Sequence, residues 1–159
     1  MAIWNPNSDL INGDSFNLYL TSGKTVLAYA TSCSLQVDRE TTDTSSKFSC
    51  RWNAVRGGRS SYTVSADALY CNATSGISFD GLLELSNSDE TIKWYMGPES
   101  AYTVDAEHAC EDNPHTLDTG STYYSGDAIV TSVSLEAGNN EVATCSITLT
   151  GSGAITKHN

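Results

Sequence analysis

Apolar and polar residues alternate with a period of two along most of the chain. Between Lys24 and Glu40, Leu27, Tyr29, Cys33, Leu35 and Val37 share one parity, and Ser32, Ser34, Gln36, Asp38 and Glu40 take the other. That alternation predicts half-buried strands, as one long strand or two joined near Thr31-Ser32. Asp14 to Leu20 alternates with Phe16, Leu18 and Leu20 inward, and Ser60 to Ala66 sets Tyr62, Val64 and Ala66 against Ser61, Thr63 and Ser65. Thr91 to Met96 adds a short strand. The clearest pattern is C-terminal: Ala128 to Ala137 places Ile129, Val133 and Leu135 against Ser132, Ser134 and Glu136. Glu141 to Thr150 then sets Ala143, Cys145, Ile147 and Leu149 against Thr144, Ser146, Thr148 and Thr150. Gly138-Asn139-Asn140 between them has the residues of a hairpin turn.

One helix is expected, capped by Ser78 and running from Phe79 to about Ser86, with Phe79, Leu82 and Leu83 as its apolar stripe. Residues 40–59 and 97–126 carry neither period and are expected to be long loops. The fold class is mainly β: an antiparallel sandwich or barrel-like domain with one short α-helix and long loops. Its length of 159 residues suits a single domain, 1–159.

Charge sharpens the picture. Nineteen acids against eight bases give a net charge of −11. Such a chain should not grip a phosphate backbone, because affinity for nucleic acid rests on basic charge. The imbalance is local: residues 1–60 carry six bases and five acids, and the remainder two bases and fourteen acids. Lys47, Arg51, Arg56 and Arg59 fall in the 40–59 segment without an acid between them, and Trp52 sits inside the set. A solvated loop and a head-to-tail docking loop for the acidic part of another copy are both open.

No apolar run approaches the roughly 18 residues of a membrane helix, and the first residues lack the pattern of a signal peptide, which points to a cytoplasmic product. Five cysteines without CxxC spacing read as small hydrophobes. Catalytic signatures are missing. Glu107-His108-Ala109-Cys110-Glu111-Asp112 with His115 has zinc-binding residue types, but His-x-Cys-x4-His matches no common structural site, so a solvated acidic loop is expected and no metal or other cofactor is assigned. His158 is expected to be exposed.

Taken in order, these segments resemble the tail tube (major tail) proteins of long-tailed phages. The resemblance begins at Gly13-Asp14-Ser15-Phe16-Asn17-Leu18-Tyr19-Leu20. It is strongest from Val26 to Tyr70, and closes on Gly126 to Ile155 with its hairpin and Gly-x-Gly ending. It implies a structural, non-enzymatic virion protein, assembled in the host cytoplasm. Six copies would form rings through continuous β-structure, and stacked rings would make a tube through which DNA leaves the capsid without specific binding. Partners would be the protein itself, a terminator, a baseplate or tip, and a tape measure inside the tube, with no membrane. Lys47, Arg51, Trp52, Arg56 and Arg59 become candidates for the contact between subunits or rings. Ser32, Ser34, Gln36, Asp38, Ser132, Ser134, Glu136, Thr144, Ser146 and Thr148 become candidates for the bore. Period two shows which residues share a face, not what the face meets, so an outer surface or a helix-covered one stays open for them. Residues 97–126 fit no part of the pattern and are expected to be an acidic insert. The alternative is a carbohydrate-binding sandwich using Trp94, Tyr95, Tyr123 and Tyr124. A terminator or injection-system tube is a related reading, and an enzyme with paired carboxylates the remotest.

Overall fold

The computed structural model describes residues 13, 16–21, 23–27, 30–46, 52–70, 77–99 and 116–159. Its elements are β1 (Phe16–Leu20), β2 (Thr25–Val26), β3 (Ala30–Asp43), β4 (Val55–Leu69), α1 (Phe79–Asn87), β5 (Ile92–Pro98), β6 (Tyr123–Glu136) and β7 (Thr144–His158). The seven strands form one antiparallel sheet in the order β2-β1-β5-β6-β7-β4-β3, which is not closed. The sheet curls, so that the Cys33 thiol on β3 meets the Phe16 carbonyl on β1 at 3.5 Å.

The alternation explains the core. Leu18, Leu20, Val64, Trp94, Ala128, Ile147 and Leu149 are fully or almost fully buried on one side of the sheet. Leu82 of α1 closes over them, with the helix lying against β6. Ser78 precedes the helix, but only its backbone carbonyl serves there, accepting from Leu82 N–H at 3.1 Å; its side chain makes no cap bond.

Two large rings fix the curl. Trp94 stands on β5 and Tyr62 on β4, yet their centroids lie 5.6 Å apart and Trp94 Nε1 donates to Tyr62 Oη at 3.4 Å. The Tyr62 hydroxyl in turn donates to the Asp127 carbonyl. Gly126 and Gly151 lie beneath the pair. A Cβ on Gly151 would fall inside the Tyr62 ring, and one on Gly126 would strike the Tyr62 hydroxyl and the Trp94 indole.

Four expectations are corrected. Ile129 does not share a face with Val133 and Leu135. A register shift between Val130 and Ser132 adds a residue at Thr131, so Ala128 and Val130 point inward before it and Val133 and Leu135 after it, while Ile129 is exposed. Both ends of 40–59 are strand rather than loop: β3 continues through Asp43 and β4 begins at Val55, pairing Thr41 with Gly57 and Thr42 with Arg56. This ribbon has no buried face, so it lacks the alternation by which strands are recognised. Strand also claims both ends of 97–126, through Pro98 and from Tyr123 onward, and Glu99 bridges Leu117. Finally, β7 runs past Thr150 to His158. A register shift opposite Ser125–Asp127 takes up its extra residues, Gly153 with a φ of 92° among them. Tyr29, and residues 100–115 with Glu107, His108, Cys110, Glu111, Asp112 and His115, lie outside the described residues.

Gly151→Ala should therefore destabilise the protein by about 1–3 kcal/mol, because the added methyl must displace the Tyr62 ring. A lower urea midpoint at unchanged slope would show it. A strand glycine with free space above it would respond in the opposite direction.

Candidate functional site: a polar sheet face between two free edges

Direct cross-strand partners share a face, and the register brings all ten polar candidates together. On β6 and β7, Ser132 pairs with Thr148, Ser134 with Ser146 and Glu136 with Thr144. On β4, Ser65 lies beside Thr148 and Asp67 beside Ser146. On β3, Ser32, Ser34, Gln36 and Asp38 pair with Asp67, Ser65, Thr63 and Ser61. Four neighbouring strands, β6-β7-β4-β3, thus carry one continuous face of mostly hydroxyl, amide and carboxylate groups, with Ile129 opposite Thr150 and Leu69 opposite Thr144 as apolar members, on the side away from the core. The helix does not cover it, since α1 packs with Leu82 in the core.

Asp67 organises this face, and sequence reasoning gave it no role. Ser32 Oγ donates to Asp67 Oδ2 at 2.8 Å and Ser146 Oγ donates to Oδ1 at 2.7 Å, tying β3 and β7 to β4. The Ser146 hydroxyl first, then that of Ser32, holds the Asp67 carboxyl below its ordinary range. The signal was present: Ser61, Thr63 and Ser65 form a polar parity that Asp67 extends by one step. Gln36 Nε2 reaches Asp38 at 3.0 Å, and Thr131 Oγ1 donates to the Thr148 carbonyl at 3.1 Å. Between Ser61 and Glu136 the face carries Asp38, Asp67 and Glu136 and, among the described residues, no base. Such a surface holds water and repels phosphate.

Both sides of the four-stranded face end in unpaired backbone among the described residues. The outer edge of β3 pairs with no strand. β6 pairs with β5 only as far as Ala128, which leaves the edge from Ile129 to Glu136 open. Exposed strand edges are templates for a further strand.

The basic candidates are partly placed. Lys47 and Arg51 lie outside the described residues. Trp52 is 84% exposed, and Arg56 and Arg59 are exposed on the ribbon of β3 and β4. Arg39, not singled out in the sequence, lays its guanidinium over Gly57 in the same ribbon. A lone two-stranded ribbon is marginal in water, so a projecting one calls for something to lie on.

The aromatic set divides. Trp94 is fully buried and Tyr124 packs on the core, so neither offers a ring face to a sugar. Tyr95 and Tyr123 stand 6.5 Å apart on the other side of the sheet, with the Lys24 ammonium 5.3 Å and 5.6 Å from their centroids. His158 is not an exposed terminus: it is half-buried, stacks on Tyr123 at 4.4 Å and meets Ser125 Oγ at 2.8 Å.

The sequence matches a family described as phage tail tube protein over residues 19–157. No curated protein matches it. Among solved structures, the tail of an empty gene transfer agent particle, refined helically with C6 symmetry, is similar at a TM-score of 0.72 and 18% identity, covering 94% of this chain and 100% of that one. The SPP1 tail tube is similar at 0.65 and 10% identity, covering 94% and 80%. So is a sheath/tube terminator of an extracellular contractile injection system, at 0.63 and 14% identity, covering 99% and 100%.

The lowered carboxyl of Asp67 gives a pH dependence. A depressed folded-state value contributes stability above the unfolded value, near 3.9, which is lost as pH falls through the folded one. Asp67→Asn should cost well under about 1 kcal/mol at neutral pH, since the group is exposed. Urea midpoints of the two proteins should differ at pH 7 and converge as pH falls below the ordinary carboxylate range.

Proposed function

The chain belongs to the phage tail tube protein family, and from that we propose that six copies close into a ring, that rings stack into the tail tube of a virion, and that DNA passes through its bore. The role is structural. The observation that carries this reading is the polar face itself, spread over four adjacent strands and bounded on both sides by free edges.

Strand direction favours closure. The four strands alternate, so β3 and β6 run in opposite directions. Rotation about a ring axis preserves direction, so β3 of one subunit meets β6 of the next antiparallel, the pairing used throughout the sheet. Six such faces give a barrel of about 24 strands. At about 4.8 Å per strand and about 40° of tilt, its backbone diameter is about 50 Å, and about 40 Å remains inside the side chains. The concave surface would carry serine, threonine and glutamine hydrogen-bonding groups with Asp38, Asp67 and Glu136, a lining that keeps DNA hydrated and unattached.

The ribbon supplies the contact between rings. Arg56 and Arg59 lie on it, Trp52 is exposed just before β4, and Lys47 and Arg51 fall between its two strands in the sequence, while the chain beyond residue 60 is strongly acidic. Each exposed ion pair contributes on the order of 0–1 kcal/mol, and sixfold repetition at every level makes the sum matter. Terminator and baseplate components would engage the two ends of the tube.

Electron microscopy of the concentrated protein should show hollow tubes of uniform width or six-fold rings; persistent monomers, with a tail initiator supplied, would count against the reading. Arg56→Glu with Arg59→Glu should leave rings that no longer stack, and normal tubes from that variant would remove the ribbon from the stacking contact. Ser134→Lys with Ser146→Lys should leave tubes intact and slow DNA ejection. Unchanged ejection through intact tubes would mean that this face does not line the bore.

A further inference from the structure

Scattered exposed apolar residues need no explanation, but three of them here are placed with a pattern. Val37 on β3 is 58% exposed although it lies opposite Tyr62, on the core side of the sheet. Leu135 on β6 is 45% exposed although it lies opposite buried Cys145, on the same core side. Leu83 is 45% exposed on α1, the helix that lies against β6. The first stands at one free edge of the four-stranded face, and the other two at or near the other. In each case the core reaches the edge and stops in water.

We propose that the hydrophobic core continues from subunit to subunit around the ring, with Val37 of one copy packing on the Leu135 and Leu83 side of the next as β3 adds to β6. This rests on the tube reading above and names the surface by which one copy recognises another. Backbone pairing alone is sequence-blind and would let β3 dock on any free edge, in any register. An apolar residue on the inward parity of both edges fixes the choice, because a slip of one residue would turn Val37 to the polar face and bring Gln36 or Asp38 inward. The polar face then stays on one side all the way round.

The contact is heterologous: each copy has one donor edge, at β3, and one acceptor edge, at β6 and α1. That asymmetry makes it testable without knowing the register. Val37→Asp and Leu135→Asp should each give a folded monomer, with a urea midpoint close to wild type because both positions already meet water. Neither should form rings or tubes. Val37→Asp keeps a live β6 edge, so it should add to growing rings and block them. In an equimolar mixture only about 1 ring in 64 would be free of variant, and the yield of sedimenting tube should fall severalfold. The double variant has no live edge and should leave the wild-type yield unchanged. The milder Val37→Thr, which retains the branched shape, should raise the concentration needed for tube formation severalfold.

Normal tubes from Val37→Asp would overturn this inference and leave the tube reading standing. Poisoning by the double variant as strong as by the single one would also overturn it, by showing that the two edges are not the contact. Failure of the wild type to form rings or tubes in the presence of its initiator would overturn the tube reading, and this inference with it.

Discussion

Tyr62 and Trp94 stand on strands three places apart in the sheet, and in a flat sheet about 14 Å would separate them. Their rings are 5.6 Å apart. That contact is made only if the sheet bends over on itself, and the bend is possible because Gly126 and Gly151, on the two strands between, place no side chain under the rings. The hydrogen bonds from Trp94 to Tyr62 and from Tyr62 to the Asp127 carbonyl keep the buried polar atoms of the pair satisfied. One consequence is a division of labour. β2, β1 and the helix serve as a cover, and the four long strands are free to present a face that is polar apart from Ile129 and Leu69.

That face is an unusual thing for a monomer to build. Four strands of 14 or 15 residues offer hydroxyls outward in register, yet the face ends at both edges without the prolines or lysines that blunt exposed strands. The acids on it are supported rather than isolated, as the two serine hydroxyls on Asp67 show. In a conduit the chemistry needed is avoidance: no cation to hold a phosphate, no apolar patch to hold a base, and a bound layer of water. The composition of the face suits those requirements.

Alternation made much of this legible. Wherever a strand buries one side, as in Tyr62-Val64-Ala66 or Cys145-Ile147-Leu149, the period shows in the residues and the polar parity follows from it. All ten face residues were found that way. The information failed where burial was absent or the backbone was irregular. The ribbon formed by Arg39–Asp43 and Val55–Ser60 has no inside, so its Thr- and Gly-containing stretch looked like loop. Ile129 was assigned to the wrong side because an added residue at Thr131 reverses the parity two positions later, which no periodic pattern announces. Asp67 was overlooked because its importance comes from Ser32 and Ser146, 35 and 79 residues away. The same holds for Gly126 and Gly151: their role depends on rings elsewhere in the chain.

The two hairpins of the four-stranded face point opposite ways. The turn after β6, carrying Glu136 and Glu141, adjoins the Leu69 end of β4, whereas the ribbon with Arg39, Arg56 and Arg59 extends from the Val55 end. Each subunit therefore has an anionic end and, at the ribbon, an end of mixed charge where Arg39, Arg56 and Arg59 outnumber Glu40 and Asp43. A ring made by rotation alone turns every end the same way, and a stack of such rings is an arrow. The two mouths of such an arrow differ in charge and in shape, so a protein built to cap one does not fit the other.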